Sequence, residues 1–256
     1  IVKVSGGGSS SAAPGATGPA SAAVVTGVTK VPASTLNTVG VGSVSALPQP
    51  LDAPALTADG KPRVLYIGAE YCPYCAAERW GMAVALSRFG TWSGLRTTSS
   101  SASDVDPSTP TLSFHGATFT SPYLSFTGVE QTTNVPDGNG GYKPLDTPTA
   151  ADAALLTKYD APPYVSSSSQ GAIPFVDIGG RYLISGASYD PKLLANKTHE
   201  QIAASLADPK NTIAKAIDGT ANTITATLCS ITKNKPASVC NNPTITQIGV
   251  KIDAQR

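Results

Sequence analysis

Two cysteines separated by two residues, Cys72-Pro73-Tyr74-Cys75, have the type and spacing to do chemistry. At the start of a helix, the first sulfur meets backbone N–H groups without intrahelical partners and the positive end of the helix dipole. Both favour the thiolate, which is the nucleophilic form, and draw its pKa below the ordinary value of about 8.5. The second sulfur lies one turn further on and can resolve a mixed disulfide. In this reading Cys72 attacks and Cys75 resolves, with Cys75 on the apolar side of the helix beside Met82 and Leu86. Other uses of such a pair compete. Cys229 and Cys240 can complete a four-cysteine zinc site, yet ten residues separate them, where zinc pairs usually keep about two to four. Iron–sulfur spacing is not present. An inert disulfide on a binding scaffold is the remaining alternative.

For the pair to work, a strand must deliver it and a helix must begin on it. Residues 63–68 (Arg-Val-Leu-Tyr-Ile-Gly) form a β-prone run of the kind a buried central strand shows. A helix is expected from Cys72 or Pro73, since proline suits a first turn. Cys75, Met82, Leu86 and Phe89 recur at helical spacing, and Gly90 supplies a stop. Further on, strands are expected at 111–114 and 117–120, with a turn at His115-Gly116, and at 123–126. Residues 99–108 and 135–147 read as loops, and 149–159 as a helix. Two strands, 173–178 and 181–184, flank Gly179-Gly180, a hairpin signal. Helices are expected at 198–206 and 211–231, and a short one near 32–39.

Composition sets the limits. Charged residues make up 14% of the 256, against roughly 25% in an average soluble domain. The formal net charge is +1, with no basic block, so nucleic acid is not an expected partner. Residues 1–23 are rich in Gly, Ser, Ala and Pro and read as a flexible linker. The chain starts without Met, which is read as a mature form or trimmed piece whose export signal or membrane anchor lay upstream. Four cysteines in two close pairs suit an oxidising compartment, although three connectivities are open. A structural Cys229–Cys240 disulfide is preferred over a second redox pair, and its loop closure would stabilise by roughly 3 kcal/mol.

Residues 64–75 (Val-Leu-Tyr-Ile-Gly-Ala-Glu-Tyr-Cys-Pro-Tyr-Cys) resemble the active-site strand and helix start of thioredoxins, with the Pro-Tyr dipeptide typical of glutaredoxins. Ile173-Pro174 resembles the cis-proline loop of that superfamily, and the hairpin after it resembles the one that follows there. The resemblance implies an α/β thioredoxin-like sheet with flanking helices, its core at about 60–100 and 150–210. It also implies an insertion at about 101–148, before the cis-proline strand, and a helical extension at about 211–256. It implies substrate contacts from Ile173, Pro174, Tyr71, Pro73 and Tyr74. More narrowly, residues 70–80 (Glu-Tyr-Cys-Pro-Tyr-Cys-Ala-Ala-Glu-Arg-Trp) are similar to an exported or membrane-anchored family of actinobacteria and archaea, a domain of unknown function.

The chain departs from thioredoxins at Tyr66, which stands where they carry a buried acid. Glu78 can replace that acid, but it reads more simply as a solvated helix glutamate. Arg79 likewise reads as exposed, Trp80 as core, and His115 and His199 as ordinary turn or helix residues. The expected activity is thiol–disulfide exchange outside the cytoplasm, on protein thiols and disulfides and with a redox partner, without a metal or small-molecule cofactor. An exposed Cys72 beside the Ile173 backbone favours exchange; a Cys72 buried beneath the insertion favours the scaffold.

Overall fold

Residues 64–68 are all buried because both faces of their strand are covered. That strand, Lys61–Gly68 (β1), lies inside the main sheet of an α/β fold. Val64 and Tyr66 enter one apolar cluster, Leu65 and Ile67 another, which is how a period-two strand fills two cores. The computed structural model describes residues 17–256.

From β1 the chain enters the helix Pro73–Ser87 (α1) and returns as Ser125–Glu130 (β2), parallel to β1 with Phe126 opposite Val64. The helix Ala150–Tyr159 (α2) then leads to Phe175–Ile178 (β3), antiparallel on the other side of β1. Gly179 and Gly180, at φ 67° and 71°, turn the chain into Tyr182–Ser185 (β4). Those angles suit glycine and strain other residues, so the expected hairpin is present. Gln49–Pro50 borders β4, and Thr57–Ala58 pairs with the start of β1.

The long helix Thr212–Ile231 (α3) shares the Val64/Tyr66 cluster with α1. Tyr159 of α2 joins the Leu65/Ile67 cluster on the opposite face. Helices α1 and α3 cross closely. A Cβ on Gly81 would stand 2.5 Å from the Thr220 methyl, so only glycine permits the approach. The threonines of α3 look unfavourable for a helix, but their hydroxyls return to its own backbone, as Thr220 does to the Ala216 carbonyl and Thr225 to that of Ala221. Beyond α3, a disulfide joins Cys229 to Cys240, and the helix Pro243–Asp253 follows. No helix among the described residues is long and apolar enough to cross a membrane.

Several segments differ from the sequence reading. The strands expected at 111–114 and 117–120 are present, at Pro110–Ser113 and Thr118–Thr120, but the first pairs with 96–99 and the second with 91–93, so the turn at His115-Gly116 joins two separate sheets. Burial decides this: Phe114 and Phe126 pack on Trp92 at 5.3 and 5.2 Å between ring centres. The stretch 101–148, read as an insertion, contains β2, a neighbour of the central strand. The loop expected at 135–147 contains Tyr142–Pro144, which pairs with Thr132–Pro136. Of the linker expected at 1–23, residues 1–16 lie outside the described residues. Gly18–Pro19 pairs with Arg96–Thr97, and the helix Ala22–Thr29 begins within that stretch.

Asp218 of α3 is fully buried, and neither carboxylate oxygen has a hydrogen-bond partner among the described residues. Burial pushes its pKa up to about 8. A carboxyl raised in the folded state keeps a proton that the unfolded chain releases, so stability falls as pH climbs from about 4 toward about 8. Buried Glu78, pushed up to about 7, contributes in the same direction. Asp218→Asn is expected to flatten most of this decline. The check is urea unfolding of both proteins at about pH 5 and about pH 8, with the gap between them changing by a few kcal/mol, on the order set by such a shift.

Candidate functional site

Cys72 occupies the N-cap of α1 in extended conformation, and its sulfur accepts a hydrogen bond from the Cys75 N–H at 3.3 Å. Capping oxygens ordinarily fill that role. Pro73 stands at the first helical position, where its missing N–H leaves nothing unpaired. On the other side, the Cys72 thiol points at the Ile173 carbonyl oxygen at 3.6 Å, and the Ile173–Pro174 peptide is cis. Both cysteines are free thiols.

The two sulfurs are electrostatically unequal. A hydrogen bond from the Cys75 thiol is the largest influence on Cys72 and lowers its pKa; backbone N–H groups and the Arg79 charge act the same way, against burial. Cys75 is pushed well above the usual thiol range by burial first, then by its bond to Cys72 and by the Cys72 charge. The arrangement therefore favours a thiolate at Cys72 and a protonated reserve at Cys75.

Arg79 and Glu78 were expected in solvent, and both are fully buried. Glu78 accepts from the Ser188 N–H at 2.8 Å and from the Ser188 hydroxyl at 3.2 Å. Arg79 makes a two-pronged ion pair with Glu130 of β2, at 2.8 Å through Nε and 2.7 Å through Nη2, and donates to the Ala69 carbonyl at 2.6 Å. Sequence reasoning overlooked Glu130. The available signal was α1 itself: between Cys75 and Leu86 it is apolar on every side apart from these two charges, and such helices are buried all round.

The sheet and α1 bring Tyr71, Cys72, Pro73, Tyr74, Cys75, Ile173 and Pro174 to one place. Tyr71 is half-buried, with its ring stacked on Tyr142 at 4.2 Å, and burial leads in raising its pKa to about 12. Its carbonyl accepts from the Ser101 N–H, while the Glu70 N–H reaches the Thr132 carbonyl. The segments around Ser101 and Thr132 thus wall the motif, and Cys72 is only 4% exposed. Trp80 is core, as expected, and its indole N–H donates to the Pro110 carbonyl. His115 pairs with Asp146, and the His199 ring lies against the backbone of Thr98 and Thr111. Cys229 and Cys240 are bonded to each other where α3 ends near the Gly179-Gly180 turn, so they are not available as zinc thiolates beside Cys72.

Residues 50–140 and 146–230 match the family described as "Domain of unknown function (DUF929)". The chain belongs to that family. The DUF929 match takes in β1, the CPYC motif, Arg79, Glu130 and the Ile173-Pro174 peptide. No curated protein and no solved structure matches the chain.

Two outcomes are expected from this geometry. Cys75→Ala removes the largest influence on Cys72, so the pH midpoint of Cys72 alkylation by iodoacetamide should move upward. Glu130→Gln leaves the Arg79 charge buried without its counter-ion and should lower stability by about 3–5 kcal/mol in denaturant unfolding. Replacing both partners by apolar residues should lower it much less.

Proposed function

We propose that this DUF929 chain is a thioredoxin-like thiol–disulfide oxidoreductase acting on protein substrates outside the cytoplasm. One observation carries the reading: the Cys72 sulfur caps α1, its thiolate is favoured, and it faces the Ile173 carbonyl beside a cis-proline. The strand order β2-β1-β3-β4, with one parallel pair and two antiparallel pairs, supports the thioredoxin-like assignment. The Cys229–Cys240 disulfide supports an oxidising compartment. Three of the four exposed large hydrophobic residues among those described, Tyr74, Val105 and Val135, lie on the motif or its flanking segments, where an apolar stretch of polypeptide can rest.

In the reducing direction the Cys72 thiolate attacks a substrate disulfide R–S–S–R′. The Cys72–S–R bond forms, and R′–S⁻ leaves and takes up a proton. Cys75 then gives up its proton and attacks the Cys72 sulfur, the Cys72–Cys75 disulfide forms, the Cys72–S–R bond breaks, and R–S⁻ leaves and takes up a proton. Two electrons pass from the dithiol to the substrate, and the reverse sequence oxidises one. Direction follows the reduction potential relative to the redox partner.

The burial of Cys72, whose neighbours Tyr71 and Glu70 are bonded to the Ser101 and Thr132 segments, favours a second reading, a binding scaffold whose cysteine pair does not exchange. Titrating the pair against glutathione buffers, with thiol labelling, separates the two. Exchange predicts a potential above about −300 mV and mixed disulfides trapped by Cys75→Ala. A pair that stays oxidised below that value and a variant that traps nothing would establish the scaffold instead.

A further inference from the structure

Tyr66 is fully buried in β1, and its hydroxyl has no hydrogen-bond partner among the described residues. An unpaired buried hydroxyl is destabilising, because it gives up its hydrogen bonds to water without replacement. The ring has a structural reason to be there, packing edge-on against Phe114 at 5.1 Å. Phenylalanine would serve that purpose equally well, so the oxygen needs a separate explanation.

Its surroundings supply one. A Cβ placed on Gly68 would fall 2.2 Å from the Tyr66 hydroxyl oxygen and 3.0 Å from the Cys75 sulfur. The Tyr66 hydroxyl therefore occupies the place a side chain at residue 68 would take, and the Cys75 sulfur borders the same place. The Arg79 guanidinium lies 5.8 Å from the centre of the Tyr66 ring, and its Nη1 is also unpartnered. The charged and titratable groups around this space are Cys72, Cys75, Arg79 and Glu130.

We propose that the Tyr66 hydroxyl is the hydrogen-bond donor to the Cys75 thiolate during exchange. The inference rests on the exchange reading above. Burial holds the phenol well above its ordinary pKa, so Tyr66 keeps its proton and acts as a donor, not a base. When Cys75 attacks the mixed disulfide Cys72–S–S–R, its sulfur sheds a proton to solvent and becomes anionic in a site whose burial opposes that charge. The new Cys72–Cys75 bond forms, the Cys72–S–R bond breaks, and R–S⁻ takes a proton from solvent. In reverse, Cys75 leaves as a thiolate and receives the same hydrogen bond. Gly68 is part of the device, because a Cβ there would collide with the Tyr66 hydroxyl and crowd the Cys75 sulfur.

The test mixes the reduced full chain with 5,5′-dithiobis(2-nitrobenzoate), which releases one coloured thiolate on attack by Cys72 and a second on resolution by Cys75. Tyr66→Phe is expected to slow the second release about tenfold, as loss of one hydrogen bond to a charged group should, with the first release nearly unchanged. A merely structural hydroxyl predicts a variant at least as stable as wild type, with both releases and the Cys72–Cys75 potential unaltered; that result overturns the inference. A second measurement needs no variant: the tyrosine near-ultraviolet absorption of the reduced wild type, followed as Cys75 is titrated. A shift that tracks Cys75 supports the hydrogen bond, and its absence counts against it even if Tyr66→Phe does not fold. A wild type that shows no second release refutes the exchange reading itself, which distinguishes that failure from a failure of Tyr66 alone.

Discussion

The Arg79–Glu130 ion pair is the constraint around which the site is arranged, because neither charge has any access to water. Taking two such ions out of water is unfavourable by several kcal/mol each, and only close geometry with further hydrogen bonds offsets it. That geometry draws in four pieces of chain. Arg79 holds the Ala69 carbonyl at the bend between β1 and α1, while Glu130 accepts from the Phe114 N–H and its own N–H reaches Asp146. The helix that carries the cysteines is thereby tied to the parallel strand beside β1. Breaking the pair itself would leave a charge stranded in the core.

The same pair sets the electrical environment of the thiols. The Arg79 charge favours the thiolate at both sulfurs, and Glu130 opposes it at Cys75. The preference for Cys72 comes from nearer causes, namely its place at the helix start and the bond from Cys75, while deeper burial keeps Cys75 protonated. An attacking and a resolving thiol need this division of roles. On the exchange reading, the walls around Ser101 and Thr132 restrict which partners reach a sulfur that its surroundings already favour as a nucleophile.

The local features were legible. The CPYC pair at a helix start, the strand before it, the Gly179-Gly180 hairpin and the helices near 150–159 and 212–231 rest on signals contained in short stretches: proline at a first turn, a continuous β-prone run, a Gly-Gly pair between two apolar runs. The readings that failed concerned partners. Residues 111–114 and 117–120 were legible as strands about a turn, but not the different sheets they join, which follow from Trp92, Phe114 and Phe126 sharing one aromatic cluster. Arg79 looked like any surface arginine because Glu130, which accounts for its burial, lies 51 residues away.

The amino-acid sequence by itself determined the Cys72–Cys75 pair at a helix start, the strand-then-helix frame that presents it and the α/β class, since each depends on backbone preferences and spacing over a few residues. Tertiary structure alone decided that α1 is enclosed on all sides, that two of its charges lie in the core, that β2 comes from a stretch resembling an insertion, and that the Tyr66 oxygen and the Cys75 sulfur border one space at Gly68. These depend on which distant surfaces meet. Charge burial and side-chain packing choose among many pairings that local sequence permits equally.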